Sequence, residues 1–247
     1  MKRRLDLLLV DKGLVPSRQK AQALIMAGKV LVDRQRLDKP GTAVSSDALI
    51  TIQGADHGYV SRGGLKLAAA LEAFEFSVVD LVCLDVGAST GGFSDCLLQH
   101  GARHVYAVDV GYGQLAWQLR QDPRVTAFER TNIRHMSTGN LPEPVDLATI
   151  DVSFISLKLV IPVILQFLKP QGKILALIKP QFEVGKGKVG KGGVVKDPET
   201  HMEVCNGLAQ FFRLQGLQCG PLIPSPILGP KGNKEFIILL SCPDSVL

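Results

Sequence analysis

The sequence predicts an α/β protein: an open parallel sheet with helices on both faces, preceded by a small α+β module. Three observations carry this. Short apolar runs near residues 82–86, 105–109, 125–128, 145–151, 173–178 and 236–241 alternate with helical segments, the rhythm of repeated strand–helix–strand units. One run, Leu84-Asp85-Val86, meets a glycine-rich turn that opens into an amphipathic segment. The charge is also unevenly divided: residues 1–60 hold ten Lys or Arg against six Asp, a net of +4, whereas the other 187 hold eighteen Lys or Arg against seventeen Asp or Glu, a net of +1.

Taken in order, Leu5, Leu8 and Leu9 recur at helical spacing over Leu5 to Asp11. Ser17 then starts a second helix that runs through Ala27 and stops at Gly28. Val30-Leu31-Val32-Asp33 alternates as a strand, and a short polar turn leads to Thr51-Ile52. This helix–helix–strand unit presents Arg3, Arg4, Arg18, Lys20 and Lys29 to solvent, a cationic surface of the kind that positions a protein on phosphates without reading sequence. Residues 53–58 are polar, short and glycine-containing, so a linker is expected there, separating a domain at 1–58 from one at 59–247.

In the second domain, Val82-Cys83-Leu84 has the apolar continuity of a buried parallel strand, and Ser94 to Leu98 begins a helix with one apolar face. Gly87, Gly91 and Gly92 do not fit the dinucleotide fingerprint, because Ser89 stands where a second glycine makes room for a pyrophosphate. The acidic Asp85, loose glycine spacing and no basic residue in the loop suit a cofactor with an amino acid and an adenosine but no phosphate. S-adenosyl-L-methionine is such a molecule. Downstream, Val105 to Asp109 ends a second strand on a carboxylate placed to accept hydrogen bonds from ribose hydroxyls. Glycine and aspartate also make ordinary strand-to-helix turns. The two signals together favour the cofactor.

Four charged residues stand at element ends: Lys66 after Ser61-Arg62-Gly63-Gly64-Leu65, Asp151 after Leu147 to Ile150, Lys179 after Ile174 to Ile178, and Glu235 just before Phe236 to Leu240. Each alone is compatible with a solvated cap. As a set they suit proton transfer, in which a lysine beside another cation is desolvated and carboxylates orient it. The loop from Phe182 to Val195 holds Lys186, Lys188 and Lys191 among five glycines, a flexible cationic segment able to follow a phosphate backbone.

Two resemblances follow from these residues. Ser17-Arg18-Gln19-Lys20-Ala21 through Val30 fits S-R-x-x-A-x-x-L-I-x-x-G-x-V throughout and resembles the S-four RNA-binding module. The K…D…K…E order resembles the catalytic tetrad of FtsJ-type ribose 2'-O-methyltransferases. The strings YVSRGGLKL, LDVGASTGGFSDCLL, DVGYGQLAWQLR, ERTNIR, DVSFISL, IKPQFEVGKGKVGKGGVV and GPKGNKEF look like the TlyA (hemolysin A) family nearly end to end. That resemblance implies a Rossmann-like class I methyltransferase sheet, S-adenosyl-L-methionine as methyl donor, and a cytidine ribose in ribosomal RNA or a ribosomal subunit as target. The chain stops soon after Cys242, which leans the expected target toward 23S RNA with 16S open. It implies a tetrad of Lys66, Asp151, Lys179 and Glu235 with Lys179 as base. It also implies cofactor contacts from Asp85, Gly87, Ser89, Gly91, Gly92, Asp109 and Asn132, the last at the adenine. Arg62 joins the lysines and arginines above as an expected RNA contact.

Composition excludes other classes. No apolar run approaches the roughly 20 residues that cross a bilayer, Leu157 to Leu168 being interrupted by Lys158 and Pro162, and the first residues lack the apolar core of a signal peptide. Cysteines 83, 96, 205, 219 and 242 form no CxxC pair and the five histidines no ligand spacing, so reduced thiols, no metal, no membrane and a cytoplasmic location are expected. Nothing resembles a pore-forming toxin. Two rival expectations stand beside the enzyme: a catalytically silent RNA-binding ribosome assembly factor that keeps the cofactor pocket, and a methyltransferase of proteins or small molecules, which leaves the basic module without a purpose.

Overall fold

The computed structural model describes residues 2–12, 14–15, 17–33, 35–52, 58–185, 187, 189–190 and 192–242, and the chain divides into two compact units, Met1–His57 and Gly58–Leu247.

The first unit contains β1 (Lys2–Arg4), α1 (Leu5–Asp11), α2 (Arg18–Met26), β2 (Val30–Val32), β3 (Gln35–Leu37), β4 (Ala43–Ser45) and β5 (Ile50–Ile52). Ser17 caps α2, its hydroxyl accepting from the Lys20 amide at 3.2 Å, as expected of a serine at that position. Leu5, Leu8 and Leu9 of α1 pack on Ala21 and Ile25 of α2 and on Val30. β2 lies between β3 and β5, antiparallel to both, and β1 pairs with β4. The sequence reading missed β1, β3 and β4, since three residues are too few to display a period of two.

The second unit is a seven-stranded sheet between two layers of helices. Its strands are β6 (Val82–Val86), β7 (His104–Val108), β8 (Val125–Phe128), β9 (Val145–Ile150), β10 (Leu168–Ile178), β11 (Gln218–Pro224) and β12 (Phe236–Ser241), in spatial order β11-β12-β10-β9-β6-β7-β8. Residues alternate between two cores. Leu84, Val86, Ala148, Ile150, Ile174 and Ala176 pack with α6 (Leu157–Ile164) and α8 (Pro198–Leu214). Cys83, Leu147, Leu175 and Leu177 pack with α3 (Gly63–Ala73), α4 (Gly92–Gln99) and α5 (Trp117–Gln121). A short α7 (Pro180–Glu183) follows β10.

The sheet departs from the all-parallel expectation at one edge. β6 to β10 are parallel, but β12 runs antiparallel to both neighbours, β10 and β11. α8 carries the chain from β10 to β11, two strand positions away, and the chain returns in the opposite sense as β12 between them. β11 went unread because Gly220 and Pro221 interrupt its apolar run. Both are tolerated there because β11 is an edge strand, with a register shift between Cys219 and Leu222. The antiparallel run of β12 places its start beside the end of β10, one strand away from the end of β9.

Candidate active site

The turn after β6 brings two strand ends and two helices into close approach. Gly87 has φ +84°, and a Cβ there would stand 2.6 Å from the Asp151 carbonyl oxygen, so only glycine lets the β6 turn close against the chain leaving β9. Gly91 is the N-cap of α4. Gly92, the first residue of α4, faces the start of α3 so closely that a Cβ would overlap Ser61 Oγ and lie 2.9 Å from the Gly64 amide nitrogen. This contact sets the depth at which α3 delivers Lys66.

Asp85 does not reach the cleft surface. Its carboxylate is fully buried behind the loop and accepts from Ser94 N at 2.9 Å, Ser94 Oγ at 2.6 Å and Thr149 Oγ1 at 3.3 Å. Burial pushes its carboxyl up to about 7, against the Ser94 bonds and with the nearby Asp151 charge adding. Its contribution to a ligand is to hold the first turn of α4 against β6. Asp109 follows β7, half-buried, one oxygen accepting from Ser89 N at 2.8 Å and the other from Gly111 N at 2.6 Å. Ser89 is left-handed at φ +49°, and its hydroxyl donates to Gln114. Asn132 lines the same wall, its side-chain oxygen capping the turn at Ile133–His135 through the Arg134 amide at 3.1 Å.

Two adjoining hollows meet here. One of about 830 Å³ is walled by Gly87, Ser89, Asp109, Asn132, Asp151 and Phe154; the other, about 370 Å³, by Arg62, Lys66, Gly87, Asp151, Lys179 and Gly229. Gly87, Ser89, Asp151 and Ser153 belong to both, so a ligand in the first can present one end to the second.

The four charged residues named from sequence converge in the smaller hollow. Lys66 Nζ lies 2.6 Å from Glu235 Oε2 and 3.9 Å from Asp151 Oδ2. Lys179 Nζ lies 2.6 Å from Asp151 Oδ1, an ion pair outside hydrogen-bond angles, and donates to Ser153 Oγ at 3.0 Å. The result is an alternating row, Glu235–Lys66–Asp151–Lys179, with both lysines and Glu235 buried and Asp151 partly open to the cleft. It is formally neutral, two cations against two anions. Glu235 can stand in this row because β12 runs antiparallel: it precedes its strand, whereas Asp151 and Lys179 follow theirs.

Three neighbours went unread in the sequence. Ser153 steadies Lys179. Glu183 accepts from Ser156 Oγ at 2.6 Å and Leu157 N at 2.8 Å, tying α7 to the start of α6, and burial raises its carboxyl above the usual range. Phe154, 91% exposed at φ +63° on the rim, has its ring 4.8 Å from that of Phe182. A strained, fully exposed aromatic offers a face to a planar partner. Its signal in the sequence is an aromatic residue in a loop, three residues after a strand-end aspartate.

Of the expected RNA contacts, Arg3, Arg4, Arg18, Lys20, Lys29 and Arg62 are all exposed. Three are not free-standing: Arg3 pairs with Asp11 at 2.7 Å, while Arg4 and Arg18 both bond to Asp6. Arg62 stands at the mouth of the smaller hollow. Lys186, Lys188 and Lys191 lie outside the described residues. Among the described residues no helix is long and apolar enough to cross a membrane, and no cluster of His, Cys, Asp and Glu has metal-binding geometry.

Comparison with known proteins identifies the family. Residues 59–242 match the FtsJ-like methyltransferase family and residues 3–50 the S4 domain. A protein of Mycobacterium tuberculosis (strain ATCC 25618 / H37Rv) named 16S/23S rRNA (cytidine-2'-O)-methyltransferase TlyA is 48% identical, over 96% of this chain and 89% of its own. A candidate rRNA methyltransferase, YqxC of Bacillus subtilis (strain 168), is 51% identical over 98% of this chain and 86% of its own. A solved structure of a candidate hemolysin from Streptococcus thermophilus superposes with a TM-score of 0.77 at 42% identity, covering 99% of this chain and 90% of that one. With three-quarters of its length matched by the family and near full-length relatives at about half identity, the chain belongs to the FtsJ-like methyltransferase family and carries an S4 domain at its amino-terminal side.

Proposed function

We propose that this chain transfers a methyl group from S-adenosyl-L-methionine to the ribose 2'-hydroxyl of a cytidine in ribosomal RNA, with the 23S molecule of the large subunit as first candidate and 16S as second. The observation that carries it is the buried row Glu235–Lys66–Asp151–Lys179 opening into the hollow under the glycine loop. The division into an RNA-binding part at 1–58 and a catalytic part at 59–247 belongs to the same proposal, and the site of action is the cytoplasm, where ribosomes are.

The residues present fit the cofactor. The 84–94 loop has no basic residue to demand a phosphate. Each oxygen of Asp109 accepts one backbone N–H and retains a lone pair for a ribose hydroxyl. Asn132 and the apolar wall beside it would take the adenine, Gly87 and Ser89 the middle of the molecule, with Asp85, Gly91 and Gly92 holding the loop in shape. When bound, the cofactor supplies an activated methyl on a sulfonium.

The chain's own task is positioning and one proton transfer. Lys179 Nζ, having first given up its own proton to solvent, takes the proton of the 2'-hydroxyl as that oxygen bonds the methyl and the methyl leaves sulfur, with Ser153 and Asp151 fixing where the amine points. Asp151 is held in turn by Lys66, and Lys66 by Glu235. Phe154 offers its face to the target base, and holding the hydroxyl in line removes much of the entropic part of the barrier. This chemistry requires no metal, since the methyl is already on a good leaving group.

Incubation with labelled cofactor and ribosomal RNA lacking the modification, followed by nuclease mapping, is expected to place the methyl on a ribose; a methyl on a base would overturn the assignment. By calorimetry, the protein is expected to bind S-adenosylhomocysteine and not NAD. Asp109→Ala is expected to weaken S-adenosylhomocysteine by about 1–3 kcal/mol, the scale of a hydrogen bond to a charged group. Unchanged affinity would remove Asp109 from the cofactor site.

A further inference from the structure

Asp6 sits in the first turn of α1 with no exposed side-chain surface, yet it is not sunk in the apolar core: it lies beneath side chains that bond to it. Oδ1 accepts from Arg4 Nε at 3.0 Å and from the Leu7 amide at 3.0 Å. Oδ2 accepts from Arg4 Nη2 at 3.0 Å, Arg18 Nε at 2.9 Å and Gln22 Nε2 at 3.1 Å. Arg4 is therefore bidentate, and Arg18, from the start of α2, shares the same carboxylate. Both arginine side chains remain about half exposed, at 48% and 52%. A guanidinium is planar, so fixing Nε fixes the plane of the remaining donors. Arg4 Nη1 and both terminal nitrogens of Arg18 take no part in the bonds to Asp6.

We propose that Asp6 is a positioning residue that sets Arg4 and Arg18 as one preorganised, two-guanidinium seat for the phosphodiester backbone of RNA, a proposal that rests on the RNA-binding role of the amino-terminal unit. Arginine side chains lose rotamer freedom when they bind, and two of them ordered in advance bring that loss forward to folding. The bonds from Arg4 hold the Asp6 carboxyl well below the usual carboxylate range, with Gln22 and Arg18 adding, so the anchor is charged at neutral pH. An anion among phosphate-binding cations weakens attraction for RNA through simple charge. Its place at the centre of the seat is explained by geometry.

That opposition gives the test a sign. Asp6→Asn raises the net charge of residues 1–60 from +4 to +5, so charge alone predicts RNA binding about 2-fold tighter and a salt dependence no shallower than before. Positioning predicts the reverse: affinity of the full-length protein for in-vitro transcribed 23S ribosomal RNA about 10-fold weaker. The slope of log affinity against log salt should also flatten by about 0.7 to 0.9 for each phosphate that the seat no longer neutralises. S-adenosylhomocysteine binding should stay as it was. Affinity at or above that of the parent protein overturns the proposal. Arg18→Lys, which keeps the charge and loses the planar fork, decides the matter if Asp6→Asn does not fold: about 5-fold weaker binding supports the seat, and unchanged binding overturns it. Arg18→Ala separates the two layers of the argument. If it leaves RNA affinity intact, the RNA-binding reading of this face fails and the proposal with it; if it weakens binding while Asp6→Asn does not, only the role of Asp6 fails.

Discussion

Lys179→Ala is expected to lower methyl transfer to ribosomal RNA by at least ~100-fold, the usual scale for losing a positioned general base, while affinities for cofactor and RNA change only a few-fold. The amine lies at the end of the buried row, 2.6 Å from Asp151 and 3.0 Å from Ser153, where it can meet an incoming hydroxyl. Because its contribution is made in the transition state, the loss should fall on kcat and kcat/KM together. Lys179→Arg should not restore the rate, since a guanidinium keeps its proton and cannot accept another. Single-turnover transfer of labelled methyl groups measures this directly. Full activity in Lys179→Ala would mean that the base lies elsewhere, and activity in Lys179→Arg would mean that only the positive charge is needed.

The second large effect is on stability. Glu235 is 2% exposed and its partner is Lys66 at 2.6 Å, so Lys66→Met strands a carboxylate away from water. Removing one member of a buried pair costs about 3–5 kcal/mol, because the survivor is left charged and unpaired. For a unit of this size that corresponds to a fall in Tm of about 10 °C. The double change Lys66→Met with Glu235→Gln leaves no unpaired charge and is expected to unfold later than Lys66→Met alone. Denaturant unfolding of the two single variants and the double supplies the coupling. Single effects that simply add would show that the pair contributes nothing as a pair.

The parallel core of the fold was legible because its strands are apolar on both faces and punctuated by glycine turns, as Leu84–Gly87 is. The edge was less so. β11 carries Gly220 and Pro221, which read as a loop and are accommodated only because one side of that strand faces no neighbour. The tetrad was legible as four strand-end or helix-start charges, yet nothing in the spacing of Lys66 and Glu235, 169 residues apart, says that they touch; that contact depends on β12 entering antiparallel. Asp85 was assigned to the cofactor because acidic residues at such turns often face it. Here Ser94 and Thr149 offer three donors on the inner side, and the carboxylate turns to them. The arginines of the first unit were recognised as exposed cations, but a pattern of basic residues carries no information about the aspartate that joins two of them.

The antiparallel β12 also orders events in time. A ribosome delivers the chain from its amino-terminal end, so the glycine loop, Lys66, Asp151 and Lys179 exist well before Glu235. β11 pairs with β12 alone, so neither strand joins the sheet until β12 reaches the free edge of β10. The β10–β12 pairing joins segments about sixty residues apart, whereas β11 and β12 are near neighbours in the chain. The pairing that adds β12 to the sheet is thus also the one that brings Glu235 to Lys66, so sheet closure and the completed row of charges are one event.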